Sequence, residues 1–141
     1  MTTKEKIQFA MDKVPTLTDF GIGLYGQDRN SPIDEKKKKF QEEQKSLLEN
    51  TKEFERVCEW LYTVDKIQSI NKKHTSYGLK HLAEKTIGYS TNGTFIAAAI
   101  YSGFDIKIEK DSPNPMFNMS QKSLKMKDPY YRNGIFNIWK S

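Results

Sequence analysis

His74, Tyr77, His81 and Glu84 are the densest set of chemically capable side chains in the chain. On a helix, Tyr77 and His81 stand at i and i+4 and His81 and Glu84 at i and i+3, so these three share one face. Two imidazoles can run general acid and base chemistry near neutral pH. With Lys80 or Lys73 steadying a phosphorane, that would be a metal-independent nuclease using His74 and His81. His81 and Glu84 alone are too few for a metal site. The same residues also suit a structural arrangement in which Tyr77 packs, His81 bonds a neighbour and Glu84 pairs with Lys80. A shared helix face establishes proximity but neither a pocket nor a shifted pKa. The expectation is therefore a polar site at these four residues, with no catalytic residue, metal or cofactor assigned.

Two other features carry less chemistry. Gly21-Ile22-Gly23-Leu24-Tyr25-Gly26 matches the G-x-G-x-x-G string, but a dinucleotide site needs a strand before it and a helix N-terminus after it. Pro15 lies shortly upstream and Gln27-Asp28-Arg29-Asn30 follows, so the segment reads as a loop. Cys58 lies in a helical stripe with Phe54 and Leu61, where a free thiol behaves as a small hydrophobe. Glu55 and Glu59 beside it disfavour the thiolate.

Charge speaks to partners. The 141 residues carry a net charge of +5, distributed unevenly. Residues 1–33 hold four basic and four acidic groups, residues 34–70 eight and nine, and residues 71–141 eleven and five. The basic excess thus lies in the second half, an asymmetry that favours polyanions. Twenty lysines against three arginines favour point-charge contacts to phosphate over bidentate base reading. The single cysteine excludes an intramolecular disulfide and a cysteine-rich zinc site. No apolar run approaches a membrane span and no secretory signal is visible, so the expectation is a cytoplasmic protein without membrane partners.

The elements that must position these groups follow from periodicity and caps. Residues 4–14 read as a short amphipathic helix stopped by Pro15, and 15–31 as a loop. Ser31 as N-cap and Pro32 at the first helical position open a second helix. Phe40, Leu47, Phe54 and Leu61 recur every seven residues, and Asn50-Thr51 before Glu53 marks a cap at Asn50 and a restart, giving helices over 32–49 and 51–69. After a linker over 71–75, Ser76 caps a helix over 77–87 closed by Gly88, and Asn92 caps another over 93–102 closed by Gly103. Phe104, Ile106 and Ile108 alternate with polar residues as a strand does. Ser112-Pro113-Asn114-Pro115 then turns the chain, with Met116–Met119 as the returning partner. Asn133-Gly134 between Tyr130-Tyr131-Arg132 and Ile135–Trp139 reads as a second hairpin. The fold class expected is α+β: a mainly helical single domain, with a helical part over 1–70, a basic part over 71–141, and one or two C-terminal β-hairpins.

The two helices and the strand pair over residues 75–120 resemble a winged helix-turn-helix. In that family the second helix reads the major groove; here its surface would offer Thr94, Ala97, Ala98 and Tyr101, which suit packing better than base contacts. The resemblance implies phosphate contacts from Lys107, Lys110 and Asn114 of the wing, joined by Lys72, Lys73, Lys80 and Lys85. The block His74–His81 with Asn92–Ala99 also resembles uncharacterised small proteins of bacterial mobile elements, which implies a phage or plasmid accessory role. Tyr130, Tyr131 and Arg132 suit either stacking on bases or anchoring a protein interface, whereas Phe136 and Trp139 suit the core. The functional expectation is an accessory protein, not an enzyme, that binds DNA or RNA through lysine–phosphate contacts with little sequence specificity. The alternative is a protein-binding inhibitor or adaptor acting on a host protein, whose helices at 32–69 offer a partner or homodimer face.

Overall fold

A computed structural model describes residues 1–25 and 30–132. Seven helices and three strands are found among the described residues. Helix α1 (Thr3–Lys13) opens with a capping box between Thr2 and Glu5 and ends ahead of Pro15. Helices α2 (Ile33–Glu49) and α3 (Thr51–Leu61) meet at Asn50. Strand β1 (Lys66–Asn71) leads to α4 (Ser76–Ile87) and α5 (Asn92–Tyr101). Strands β2 (Ile106–Lys107) and β3 (Met116–Met119) precede α6 (Gln121–Lys127) and the short α7 (Pro129–Arg132). The architecture is α+β and mainly helical, as the sequence predicts.

The core is built around α5. Every residue from Asn92 to Ile100 is buried, and the helix packs against α1, α3 and α4. Ala97, Ala98 and Ala99 let those backbones approach closely, while Phe95 meets the Trp60 and Phe117 rings, each 6.3 Å away between centroids. Burying side chains such as Phe95 and Ile96 contributes about 1.5–3 kcal/mol each. Thr94, Ala97 and Ala98, whose types suit packing better than base contacts, are inside the protein.

The sheet has the order β1-β3-β2, with both edge strands antiparallel to β3. This corrects the expected helix over 51–69. It stops at Leu61 because residues 66–71 find backbone partners in Met116–Met119, with a bulge between Lys66 and Asn71. The wing strand is shorter than its alternation suggests, only Ile106 and Lys107 being paired. Pro32 serves as the N-cap of α2, one position before its expected place, and Thr91, not Asn92, caps α5 through a bond from the Thr94 N–H. Tyr130–Arg132 lie in α7 instead of a strand, because the Asp128 carboxylate accepts the Tyr130 N–H 2.9 Å away and starts a helical turn at Pro129. Gly26, Asn133, Gly134, Phe136 and Trp139 lie outside the described residues.

The loop before α2 is fastened to the start of α5. The Gly93 N–H donates to Asp19 O at 3.0 Å, and a Cβ at Gly93 would fall 2.0 Å from Thr18 O. Gly21 adopts φ +141°, and a Cβ there would fall 2.5 Å from Pro113 O. Replacing Gly93 by Ala should therefore cost about 3 kcal/mol, since backbone on both sides must move. Gly78 lies inside α4 with open space where its Cβ would be, so Gly78→Ala should stabilise by about 0.5–1 kcal/mol. Urea unfolding of the two variants checks both signs.

Candidate functional site

Helix α4 sets out Tyr77, Lys80, His81 and Glu84 along one face. The Lys80 ammonium is buried and lies 3.0 Å from Glu84 Oε2, a spacing of one helical turn. It also sits 5.4 Å from the Tyr77 ring centroid and 5.2 Å from that of Tyr89, so a single cation underlies two aromatic rings. His81 donates from Nδ1 to Glu84 Oε1 at 2.8 Å, and its ring meets Tyr77 edge-on at 4.4 Å. Gly88 ends the helix with φ +82° and turns the chain so that Tyr89 comes back over Lys80.

Glu84 is the anchor of this cluster. Burial would raise its carboxyl, but the Ser90 N–H, the Lys80 ammonium and the His81 imidazole all bond to it and hold it below the ordinary 4.5. The sequence-based pairing of Glu84 with Lys80 is thus realised, and both groups are occupied within the fold.

A cleft of about 850 Å³ opens on this face. Tyr77, Tyr89, Lys80 and His81 form one wall, and Asn92, Pro113 and Asn114 lie beside them. Other segments complete the lining: Phe20 and Tyr25 from the glycine loop, and Lys39 and Glu43 from α2. Tyr25, Tyr77 and Tyr89 remain 53%, 52% and 67% exposed. Phe20 and Tyr25 meet edge-on with centroids 5.4 Å apart.

Asn92 fixes the geometry between the walls. Its amide donates to Phe20 O at 3.1 Å and to Asn114 Oδ1 at 2.8 Å, and its carbonyl accepts the Ser76 hydroxyl at 2.8 Å. One buried side chain therefore ties the glycine loop, the turn before β3 and the start of α4. Alongside it, Asp19 accepts from Ser46 and Asn50, and Asn50 donates on to Thr94 Oγ1 at 3.1 Å. The cap expected at Asn50 is consequently not made: its side chain spans to Asp19 and Thr94, away from its own helix.

The predicted site residues separate into groups. His81, Tyr77, Lys80 and Asn114 reach the cleft. His74 does not join His81 there: it is half-buried and bonds Gln121 Oε1 at 2.8 Å, beside the Asn71 amide. Burial holds its imidazole below the ordinary 6.5, against the bond to Gln121. Lys85 reaches the buried Asp128 carboxylate at 3.3 Å and the Tyr130 ring at 4.8 Å, clamping α4 to α6 and α7. Tyr131 is exposed on α7, which also contains Arg132. Lys72, Lys73, Lys107 and Lys110 are exposed and, among the described residues, make no ion pair.

Sequence reasoning missed Tyr25, Tyr89 and Lys39, which come from segments remote from α4. The stripe of helices 32–69 is largely internal: Phe54, Val57, Trp60 and Leu61 of α3 face the core, whereas α2 buries only Leu47. Cys58 is half-buried, and burial pushes its thiol up to about 11, which suits its reading as a small hydrophobe. Among the described residues no three of His, Cys, Asp and Glu gather as metal ligands would, and no helix is long and apolar enough to cross a membrane. No protein-family model, curated protein or solved structure matches this chain.

The depressed Glu84 pKa makes a pH prediction. Its stabilisation is complete above pH 4.5 and is lost as pH falls through the lower folded value. His74, also depressed, stabilises above pH 6.5 and loses that contribution as pH falls towards its own folded value. Glu84→Gln should cost about 3 kcal/mol at pH 7 by stranding the Lys80 charge. It should also flatten the decline below pH 4.5 while leaving the decline that starts near 6.5. Urea midpoints measured from pH 8 to pH 3 test both.

Proposed function

We propose that this is a cytoplasmic, non-enzymatic accessory protein that binds nucleic acid through lysine–phosphate contacts, with little sequence preference. The observation that carries the reading is the convergence of three lysine-bearing segments on one cleft. The segment after β1 carries the exposed Lys72 and Lys73 and reaches the cleft at Tyr77. Strand β2 ends at Lys107, and the segment after it carries Lys110 and reaches the cleft at Pro113 and Asn114. Helix α2 carries the run Lys36–Lys39 and reaches it at Lys39.

Register supports the same arrangement. Lys107 stands opposite Met116, and Asn71, immediately before Lys72, stands opposite Phe117. Lys72 and Lys107 thus lie at the end of the sheet where β3 begins, with Lys66 at the opposite end, and the Ser76 N–H that opens α4 bonds Pro115 O at the β3-start end. Ammonium groups on flexible stems suit phosphates as point charges and impose little geometry on the bases. Lys80 and Lys85, held by Glu84 and Asp128, serve the fold, leaving Lys72, Lys73, Lys107, Lys110 and Lys36–Lys38 of α2 for the backbone of the ligand. The resemblance of the 74–99 block to small proteins of bacterial mobile elements suits such an accessory role.

Fluorescence anisotropy with labelled oligothymidylate, duplex DNA and RNA, from low to physiological salt, tests the reading. Affinity should fall log-linearly with salt. Replacing Lys72 and Lys73 together by Gln should make the slope shallower by about 0.7 per lysine on a single strand and about 0.9 on duplex DNA. Absence of binding to all three ligands at low salt, or a slope unchanged by the double replacement, overturns it.

A further inference from the structure

We infer that the cleft between α4 and the glycine loop is a stacking pocket for an unpaired nucleobase, so that the protein prefers single-stranded to duplex nucleic acid. This rests on the lysine–phosphate reading above and adds to it the part of the ligand that the lysines do not touch.

The electrostatics of the cleft interior point to a base in preference to a phosphate. Lys80 is paired with Glu84 and Lys39 lies 4.0 Å from Glu43, so each interior cation has a carboxylate beside it. Asp19, also on the lining, is an acidic group held by Ser46 and Asn50. A phosphate placed there would meet the Asp19 and Glu43 carboxylates as well as two ammonium groups that already have acidic partners. A neutral aromatic ring meets no such penalty. The unpaired lysines, Lys72, Lys73, Lys107 and Lys110, lie on the segments leading to the cleft, where the phosphates on either side of an inserted nucleotide would run.

The rings are suitably mounted. Tyr77 and Tyr89 share Lys80 as a cationic support and keep more than half of their surface open. A cation against an aromatic ring draws density from it, which favours a second ring stacked on its exposed side. Tyr77 is further braced by the His81 ring, and Tyr25 by Phe20. Rings already positioned in the free protein lose little freedom on binding. At about 850 Å³ the cleft falls within the range of small-ligand sites. A duplex cannot present a base to it without unstacking, which costs a few kcal/mol.

The test compares oligothymidylate with duplex DNA of equal length at one salt concentration, using wild type, Tyr77→Ala, Tyr89→Ala and the corresponding Phe variants. Wild type should bind the single strand more tightly. Each Ala variant should lose about tenfold on it with duplex affinity unchanged, and the Phe variants should retain binding because the ring remains. Independently of any substitution, 2-aminopurine within the oligothymidylate should lose emission on binding wild type, as a stacked base does. Equal wild-type affinity for the two ligands, unquenched 2-aminopurine, or Ala losses equal on both ligands would each overturn the stacking pocket while leaving the lysine reading in place. Failure to bind either ligand at low salt would overturn the lysine reading itself.

Discussion

A buried helix must satisfy its first N–H groups without water, and that constraint organises this protein. The N-terminus of α5 is inside the molecule, so each of its free donors demands an internal partner. Thr91 Oγ1 accepts the Thr94 N–H, and Asp19 O accepts that of Gly93. The second bond requires the loop backbone to lie against the helix, which only glycine permits at position 93. Once the loop is there, Asn92 reaches Phe20 O on one side and Asn114 on the other. The cleft walls are therefore a consequence of satisfying a buried helix end.

The same logic governs charge. A buried ammonium such as that of Lys80 is tolerated only with a carboxylate at hydrogen-bond distance, and Glu84 supplies it one helical turn away. Glu84 in turn accepts the Ser90 N–H, while Glu53 accepts that of Thr91. Two acidic side chains thus hold the link between α4 and α5, the link that carries Tyr89. Electrostatic pairing inside the cleft and the placement of its aromatic rim are products of one network.

Helices α4 and α5 were legible in the sequence because their signals are local, apolar periodicity with Gly88 and Gly103 past their ends, although Thr75 and Thr91 hold the N-cap positions expected of Ser76 and Asn92. The Met116–Met119 strand was legible for the same reason. Strand β1 was not, because Lys66–Asn71 has weak alternation and is mostly exposed; its conformation comes from partners some fifty residues away. At the other end of the chain, Asp128-Pro129 is itself a helix-start signal, and the adjacent Asn-Gly turn signal masked it. Of the cleft, the α4 face was legible through i, i+3 and i+4 spacing. Tyr25, Tyr89 and Lys39 were not, since nothing local relates a glycine loop, a post-helical turn and a lysine run.

A charge count by sequence segment can mislead when some charges fold inward. Residues 71–141 hold the basic excess, yet Lys80 and Lys85 of that segment are neutralised by Glu84 and Asp128 from the same segment. Conversely, Lys39 belongs to a segment of net charge −1 by count and still lies on the cleft. Recognition of a polyanion depends on the charges left unpaired at one surface, and these are chosen by packing. The exposed lysines Lys72, Lys73, Lys107 and Lys110 stand outside the network that orders the cleft, so altering them changes attraction without disturbing the rings. The Tyr77 and Tyr89 rings, by contrast, stand on Lys80, and Lys80 depends on Glu84. Attraction and positioning are therefore separable in this protein, the first residing in exposed ammonium groups and the second in a buried ion pair.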